Sequence, residues 1–240
     1  MVGTLLNALT VFIGGMLGIL LGARFPRRMQ ETVFASLGLF TIVIGVSSAL
    51  LTGNPLIVLG SLLVGALIGE GVRLDLRLEQ LGGWLQKRLS GGDDPAQASR
   101  FIQAFVTASL VFCVGPLTIQ GAIEDGLTGD YTKLAIKAML DGFAALVFAA
   151  TLGPGVLASI IVILVFQGGI SLLASLGSSF FTPAMVAELT ATGGVVLLAI
   201  GLQLLDIKKI RTANLLPALF VAPIAVAIMD ALNIAYYPNL

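Results

Sequence analysis

The chain has 240 residues, 57% of them hydrophobic and 11% charged, with a mean hydropathy of +1.03 and a formal net charge of zero. A soluble domain needs roughly 25% charged residues to cover its surface, so the composition excludes a water-soluble globular protein, and the balanced charge offers nothing to nucleic acid. Histidine is absent and Cys113 is the single cysteine, which removes the commonest metal ligand, the side chain that titrates near neutrality and any internal disulfide.

The first apolar run, residues 2–23, has no basic region before it and exceeds a signal-peptide core, so it predicts an uncleaved first span. Arg24, Arg27 and Arg28 follow at once. Residues 32–52 predict a second span. Gly53-Asn54-Pro55 makes a tight turn, and residues 56–72 return as a shorter third span. Residues 73–89 differ in kind. Leu74, Leu78, Leu81, Leu85 and Leu89 share one helical face with Trp84 beside them, while Arg73, Arg77, Lys87 and Arg88 lie elsewhere. That describes an amphipathic helix lying in the membrane interface.

A polar linker leads to Asp94-Pro95, an N-cap and first-turn pair for the next helix. The fourth span, 99–122, is interrupted at Gly115-Pro116. Proline removes a backbone donor and clashes with the preceding turn, so the helix must break there. The fifth span covers 131–152, the turn Gly153-Pro154-Gly155 follows, and the sixth covers 156–173. A loop holding residues 177–183 precedes the seventh span, 185–205. After a basic loop, the last span, 213–232, carries Pro217 and Pro223 and is expected to be kinked.

Eight spans with both termini outside place 11 of the 13 lysines and arginines in cytoplasmic loops, leaving only Lys133 and Lys137 outside. This satisfies the positive-inside rule. The glycine turns recur between spans one to three and spans four to six, which reads as a 3+3 inverted repeat with two further helices. The chain is then one integral membrane domain: a three-helix unit (1–72), an amphipathic helix and linker (73–98), a second three-helix unit (99–173) and two extra helices (174–240). Gly14, Gly18 and Gly22, at four-residue spacing, form a helix–helix seam of the kind that joins protomers. A homo-oligomer, a dimer first, is expected.

The most polar stretch among the spans is 115–142. Lys133, Lys137 and Asp141 align along one helical face, and Asp141 lies deepest, about two turns into the fifth span. A carboxylate at that depth costs several kcal/mol unless paired or hydrated. It reads as a cation or proton ligand, or as half of a static pair with Lys137. Broken helices beside ionisable groups build midplane solute sites in transporters, so Gly115 and Pro116 join Asp141 and Lys137 as candidates. Gln120 and Gln167 are candidate amide ligands, or interhelical hydrogen-bonding groups. Glu124, Asp125 and Asp130 fall in a short external loop, where they would concentrate cations at an entrance or simply be solvated. Glu188 and Asp230 read as interfacial, and Asn7 and Asn214 as groups that satisfy opened backbone.

These stretches also carry a resemblance. The opening GTLLNALTVFIGGMLGILLG, the central GPLTIQGAIEDGLTGDYTKLAIKAMLDGFAALVFAATLGPGV, FQGGISLLA and GGVVLLAIGLQLLDIKKIRTANLLPAL resemble the YqgA/YdfK-like family of bacterial membrane proteins (domain of unknown function 554). The resemblance implies a bacterial plasma-membrane location and a provisional label of transport protein. It implies no substrate and no catalytic residues.

Enzyme chemistry is not expected. Without histidine there is no HExxH metal site and no serine–histidine couple. Leu127 stands where a membrane aspartyl protease of GxGD type would carry its first glycine, ahead of Asp130. No strand precedes the glycine-rich runs, so no phosphate loop forms, and neither metal nor cofactor is expected. The function read from the residues is movement of a small solute or ion. The alternative is a non-transporting membrane scaffold or accessory subunit.

Overall fold

The computed structural model of the chain describes residues 1–22, 26–89, 95–114, 116–176 and 182–234. Among them are helices and turns and no strand. In chain order the helices are α1 (Val2–Gly22), α2 (Arg27–Ala49), α3 (Pro55–Val72), α4 (Leu74–Leu89), α5 (Pro95–Val114), α6 (Pro116–Leu127), α7 (Thr132–Leu152), α8 (Gly155–Ser175) and α9 (Pro183–Leu204). A 3₁₀ turn (Thr212–Leu215) and α10 (Ala218–Ala231) complete the chain.

Six segments are long and apolar enough to cross a membrane: α1, α3, α7, α8, α9 and 212–231. The pair α5 and α6, whose axes differ by 60°, meets the same measure only when taken together, as a broken span or a re-entrant loop, which makes seven the upper count. The second predicted span is a helix, but its apolar part is confined to Ala35–Ala49. Each of the eight predicted spans is therefore helical, and the count of eight crossings is not established by length and composition. The interruption at Pro116 separates two helices, as proline's missing donor requires; Gly115 itself lies outside the described residues. The freed carbonyl of Phe112 accepts a hydrogen bond from the buried Thr118 hydroxyl at 3.0 Å. A hydroxyl on the far side of the gap thus satisfies the opened backbone.

Helix starts follow local chemistry. Asn54 caps α3, its side chain accepting from the Leu56 N–H at 3.0 Å, with Pro55 in the first turn. Pro95 opens α5, while Asp94 lies outside the described residues. Thr182 caps α9, its hydroxyl accepting from Met185 N–H. In the last span Pro217 precedes α10 and splits the 3₁₀ turn from it, whereas Pro223 sits inside the helix.

The chain divides into two compact units. The first holds Met1–Leu37, Leu76–Cys113 and Leu117–Gly177. Here α1 lies along α7 and α8, with its Gly14–Gly18 face against α7, where a Cβ on either glycine would overlap a backbone carbonyl, of Gly142 or Leu146 respectively. The glycine seam is thus used within the chain. On α4 the buried side is Gly82, Leu85 and Gln86, packed through Leu85 on Phe101, Phe105 and Ala158. Leu81 and Trp84 face outward, so the leucines expected to share one face are divided between two.

The second unit holds Gly38–Asp75, Val114–Pro116 and Ser178–Leu240. In it α10 packs on α9 and α3, and the 38–49 part of α2 meets α9, where a Cβ on Gly45 would fall 2.9 Å from the Gly194 carbonyl oxygen.

Candidate functional site

The first unit buries a connected set of polar side chains inside apolar helices. Lys137 and Asp141, one turn apart on α7, form an ion pair between Nζ and Oδ2. Both are buried, at 4% and 8% exposure. The same carboxylate oxygen accepts a hydrogen bond from Nδ2 of Asn7 on α1 at 3.0 Å. Asn7 Nδ2 also donates to Oε1 of Gln167 on α8 at 3.1 Å, and Gln167 Nε2 donates to the Thr4 hydroxyl at 3.1 Å. Asn7, Gln167 and Thr4 are essentially inaccessible. The amide oxygen of Asn7 is buried and has no hydrogen-bond donor among the described residues. Cys113, near the end of α5, is buried and within electrostatic reach of both Lys137 and Asp141.

Of the predicted site residues, the structure joins Asp141, Lys137 and Gln167. Gln120 is half-buried on α6 and is not part of the hydrogen-bonded set. Pro116 opens α6, and Gly115 lies outside the described residues. Asn7, expected to satisfy opened backbone, instead donates to the Asp141 and Gln167 side chains, and Thr4 was not among the candidates. A signal for Asn7 existed: it lies seven residues before Gly14 and eleven before Gly18, on the face of α1 that the glycine seam turns toward α7. Asn214, by contrast, does satisfy opened backbone, its Oδ1 accepting from the Asp75 N–H at 2.8 Å.

The predicted entrance carboxylates part company. Because α6 runs on to Leu127, Glu124 and Asp125 are in its last turn rather than in a loop. Glu124 pairs with Lys133 at 2.7 Å across the α6–α7 turn, both half-exposed. Asp125 is buried, 2.7 Å from the amino group of Met1, a cation that offsets a carboxylate's poor fit at a helix C-terminus. Asp130 alone is exposed. Hydrogen bonds from the Thr132 hydroxyl and N–H hold its carboxyl below the usual range.

Glu188 corrects the expectation of an interfacial side chain. It is fully buried in the second unit, where Oε1 accepts from the Gly53 and Asn54 N–H groups at 2.8 and 3.0 Å and Oε2 from the Thr52 hydroxyl at 2.7 Å. A carboxylate thus satisfies the turn between α2 and α3. Glu188→Ala should destabilise the protein by about 2 kcal/mol, since the Gly53 N–H and the Thr52 hydroxyl lose their acceptor while the Asn54 N–H keeps the Thr52 oxygen. Glu188→Gln keeps one acceptor oxygen and should cost much less. Thermal unfolding of the two variants in detergent checks this order, and equal losses would contradict it.

Long apolar helices that carry an ion pair and amide network in their interior define an α-helical multi-pass membrane protein. The chain belongs to the family described as protein of unknown function DUF554, whose pattern matches residues 2–227. It is 30% identical to the uncharacterized membrane protein YdfK of Bacillus subtilis (strain 168) over 240 residues, covering 98% of this chain and 100% of YdfK. It is 36% identical to the uncharacterized protein YqgA of Escherichia coli (strain K12) over 222 residues, covering 92% and 94% of the two chains. No solved structure matches it.

Proposed function

We propose that this protein moves a small solute or ion across the bacterial plasma membrane, passively or coupled to an ion, with Asp141 at the centre of its site. The observation that carries this reading is the buried set of Thr4, Asn7, Lys137, Asp141 and Gln167, with the Asn7 amide oxygen left without a donor among the described residues. Ionisable groups within a membrane span are costly and mark solute or proton paths by default. A buried amide oxygen is an acceptor that an incoming donor or cation can use. Lys137 then acts as a tethered cation on Asp141, displaced when a cation or proton arrives. Cys113, near the end of α5, is buried in the same unit within electrostatic reach of the pair.

The inverted repeat and the homo-oligomer, a dimer, belong to this proposal, and no catalytic step does. The Gly14–Gly18 stripe is not the dimer seam, since α7 covers it. A non-transporting scaffold draws support from the same closed ion pair, which would then only fix α1 to α7. Sealed liposomes holding the purified protein, a pH-sensitive dye and labelled monovalent cations distinguish the two. Flux above empty vesicles that Asp141→Asn removes is expected, while no movement of proton, sodium, potassium or small organic solutes would leave the scaffold.

Both termini are proposed to face the periplasm, on the strength of the lysine and arginine distribution. A reporter active only in the periplasm should therefore work when fused after Leu240 and fail when fused at Asp93. Activity at the Asp93 fusion alone reverses the orientation.

A further inference from the structure

We propose that a cavity at the α7–α8 turn binds the phosphate group of an anionic membrane lipid. The cavity, of about 430 Å³, lies wholly within the first unit, where the ends of α1 and α7 meet the starts of α5 and α8 and the inner side of α4. That is a small-ligand volume, with room for more than a bare phosphate. This site is separate from the Asp141 network and does not depend on the transport reading.

Its polar lining is made of Arg100, Gln86, Gln97 and Thr151, together with backbone of the turn; among the described residues no carboxylate lines it. Arg100 donates one hydrogen bond, at 3.4 Å, to the Thr151 carbonyl near the end of α7. Among the described residues no carboxylate pairs with it. Most of its five N–H donors are thus open to an incoming oxyanion, for which a guanidinium fork is well shaped. The amide of Gln97, at the start of α5, adds a neutral donor. A guanidinium and an amide donor gathered in one concavity suit an anion with several oxygens.

The apolar part of the site decides between a lipid and a soluble anion. Ile19, Phe101 and Leu152 form walls beside the polar groups, so the occupant has an apolar portion as well as a charged one. The cavity also sits at the end of membrane-length helices. Furthermore, α4, which supplies Gln86, carries Arg77, Leu81, Trp84 and Arg88 along one line of its exposed side, beside the exposed Leu76, Glu79, Gln80 and Lys87, with the Arg88 guanidinium 5.5 Å over the Trp84 ring. Aromatic, leucine and arginine side chains on one helical stripe are what a headgroup region retains. Basic pockets between helices at this level bind acidic headgroups.

The test uses the full-length protein in detergent, titrated with phosphatidylglycerol, with phosphatidylcholine and with inorganic phosphate. Bound lipid is counted by native mass spectrometry and thermal stability is followed in parallel. Phosphatidylglycerol should be retained and stabilising, and inorganic phosphate should neither displace it nor stabilise alone. Arg100→Gln should weaken retention about five- to tenfold. Gln97→Glu, at an exposed helix-start position that tolerates polar change, should do the same by placing a negative charge in the cavity. Lys87→Gln, outside the cavity, should leave retention unchanged. Unchanged retention in both cavity variants, an equal loss in Lys87→Gln, or equal retention of phosphatidylcholine would each overturn the site. Stabilisation by inorganic phosphate equal to that by the lipid would overturn the lipid and leave a soluble anion.

Discussion

Gly18→Val is expected to deprive the protein of its native fold, with a loss of about 3 kcal/mol or more. A Cβ at Gly18 would overlap the Leu146 carbonyl and lie 2.9 Å from the Ala149 Cβ. The obstacle is backbone, which cannot rotate aside as a side-chain tip can, so α1 and α7 would have to separate. Dispersion contacts along the seam, the main source of helix association in lipid, would weaken together. Separation would also draw Asn7 away from Asp141, since both pairs lie on the same two helices. Gly60→Ala makes the contrast. Nothing lies within 4 Å of a Cβ there, and alanine's better helix propensity should leave stability equal or raised by up to about 1 kcal/mol. Thermal unfolding and size-exclusion profiles in one detergent compare the two. A Gly18→Val protein that melts within a few degrees of the parent would show that the seam does not hold α1 in place.

What was legible in the sequence is what short-range chemistry decides. Proline and glycine mark the turns at 53–55 and 153–155, the start of α5 and the break ahead of Pro116, because each acts on its own few residues. Apolar runs mark the spans for a similarly local reason. Glu124 and Asp125 show where this fails. They read as loop residues because Gly126 and Gly129 permit turns, yet α6 keeps them, since Lys133 and the Met1 amino group supply counter-charges from outside that helix.

The candidate site was half legible for the same reason. Lys137 and Asp141 declare each other at a spacing of four residues on one helix. Asn7 is 134 residues from Asp141 and 160 from Gln167, so only folding reveals that it joins them. Glu188 is 134 to 136 residues from the turn that it satisfies. In α4 the leucine periodicity was clear, but which side faces protein was set by Gly82, whose missing side chain lets Phe105 approach. A hydrophobicity pattern cannot rank a glycine above a leucine as a contact.

The pair Lys137–Asp141 should yield the largest coupling between any two positions in the protein. Lys137→Met leaves a buried carboxylate with only the Asn7 amide to answer it, and Asp141→Asn leaves a buried ammonium with a neutral oxygen in place of its counter-charge. Each single change should cost about 3–5 kcal/mol, the scale seen when one partner of a buried pair is removed. Asn at 141 can still accept the Asn7 N–H, so its loss should fall at the lower end. The double replacement removes both charges, keeps an amide acceptor for Asn7 and places an apolar chain where the lysine ran. It should recover most of the stability, giving a favourable coupling of at least about 2 kcal/mol in a double-mutant cycle. The same stable double variant then separates structure from transport. If the charges serve transport, it should melt like the parent and carry no flux. If they only fasten α1, α7 and α8 together, flux should return with stability. Single variants that each melt within about 0.5 kcal/mol of the parent, the scatter of an ordinary surface change, would mean that the charges are answered by water rather than by each other.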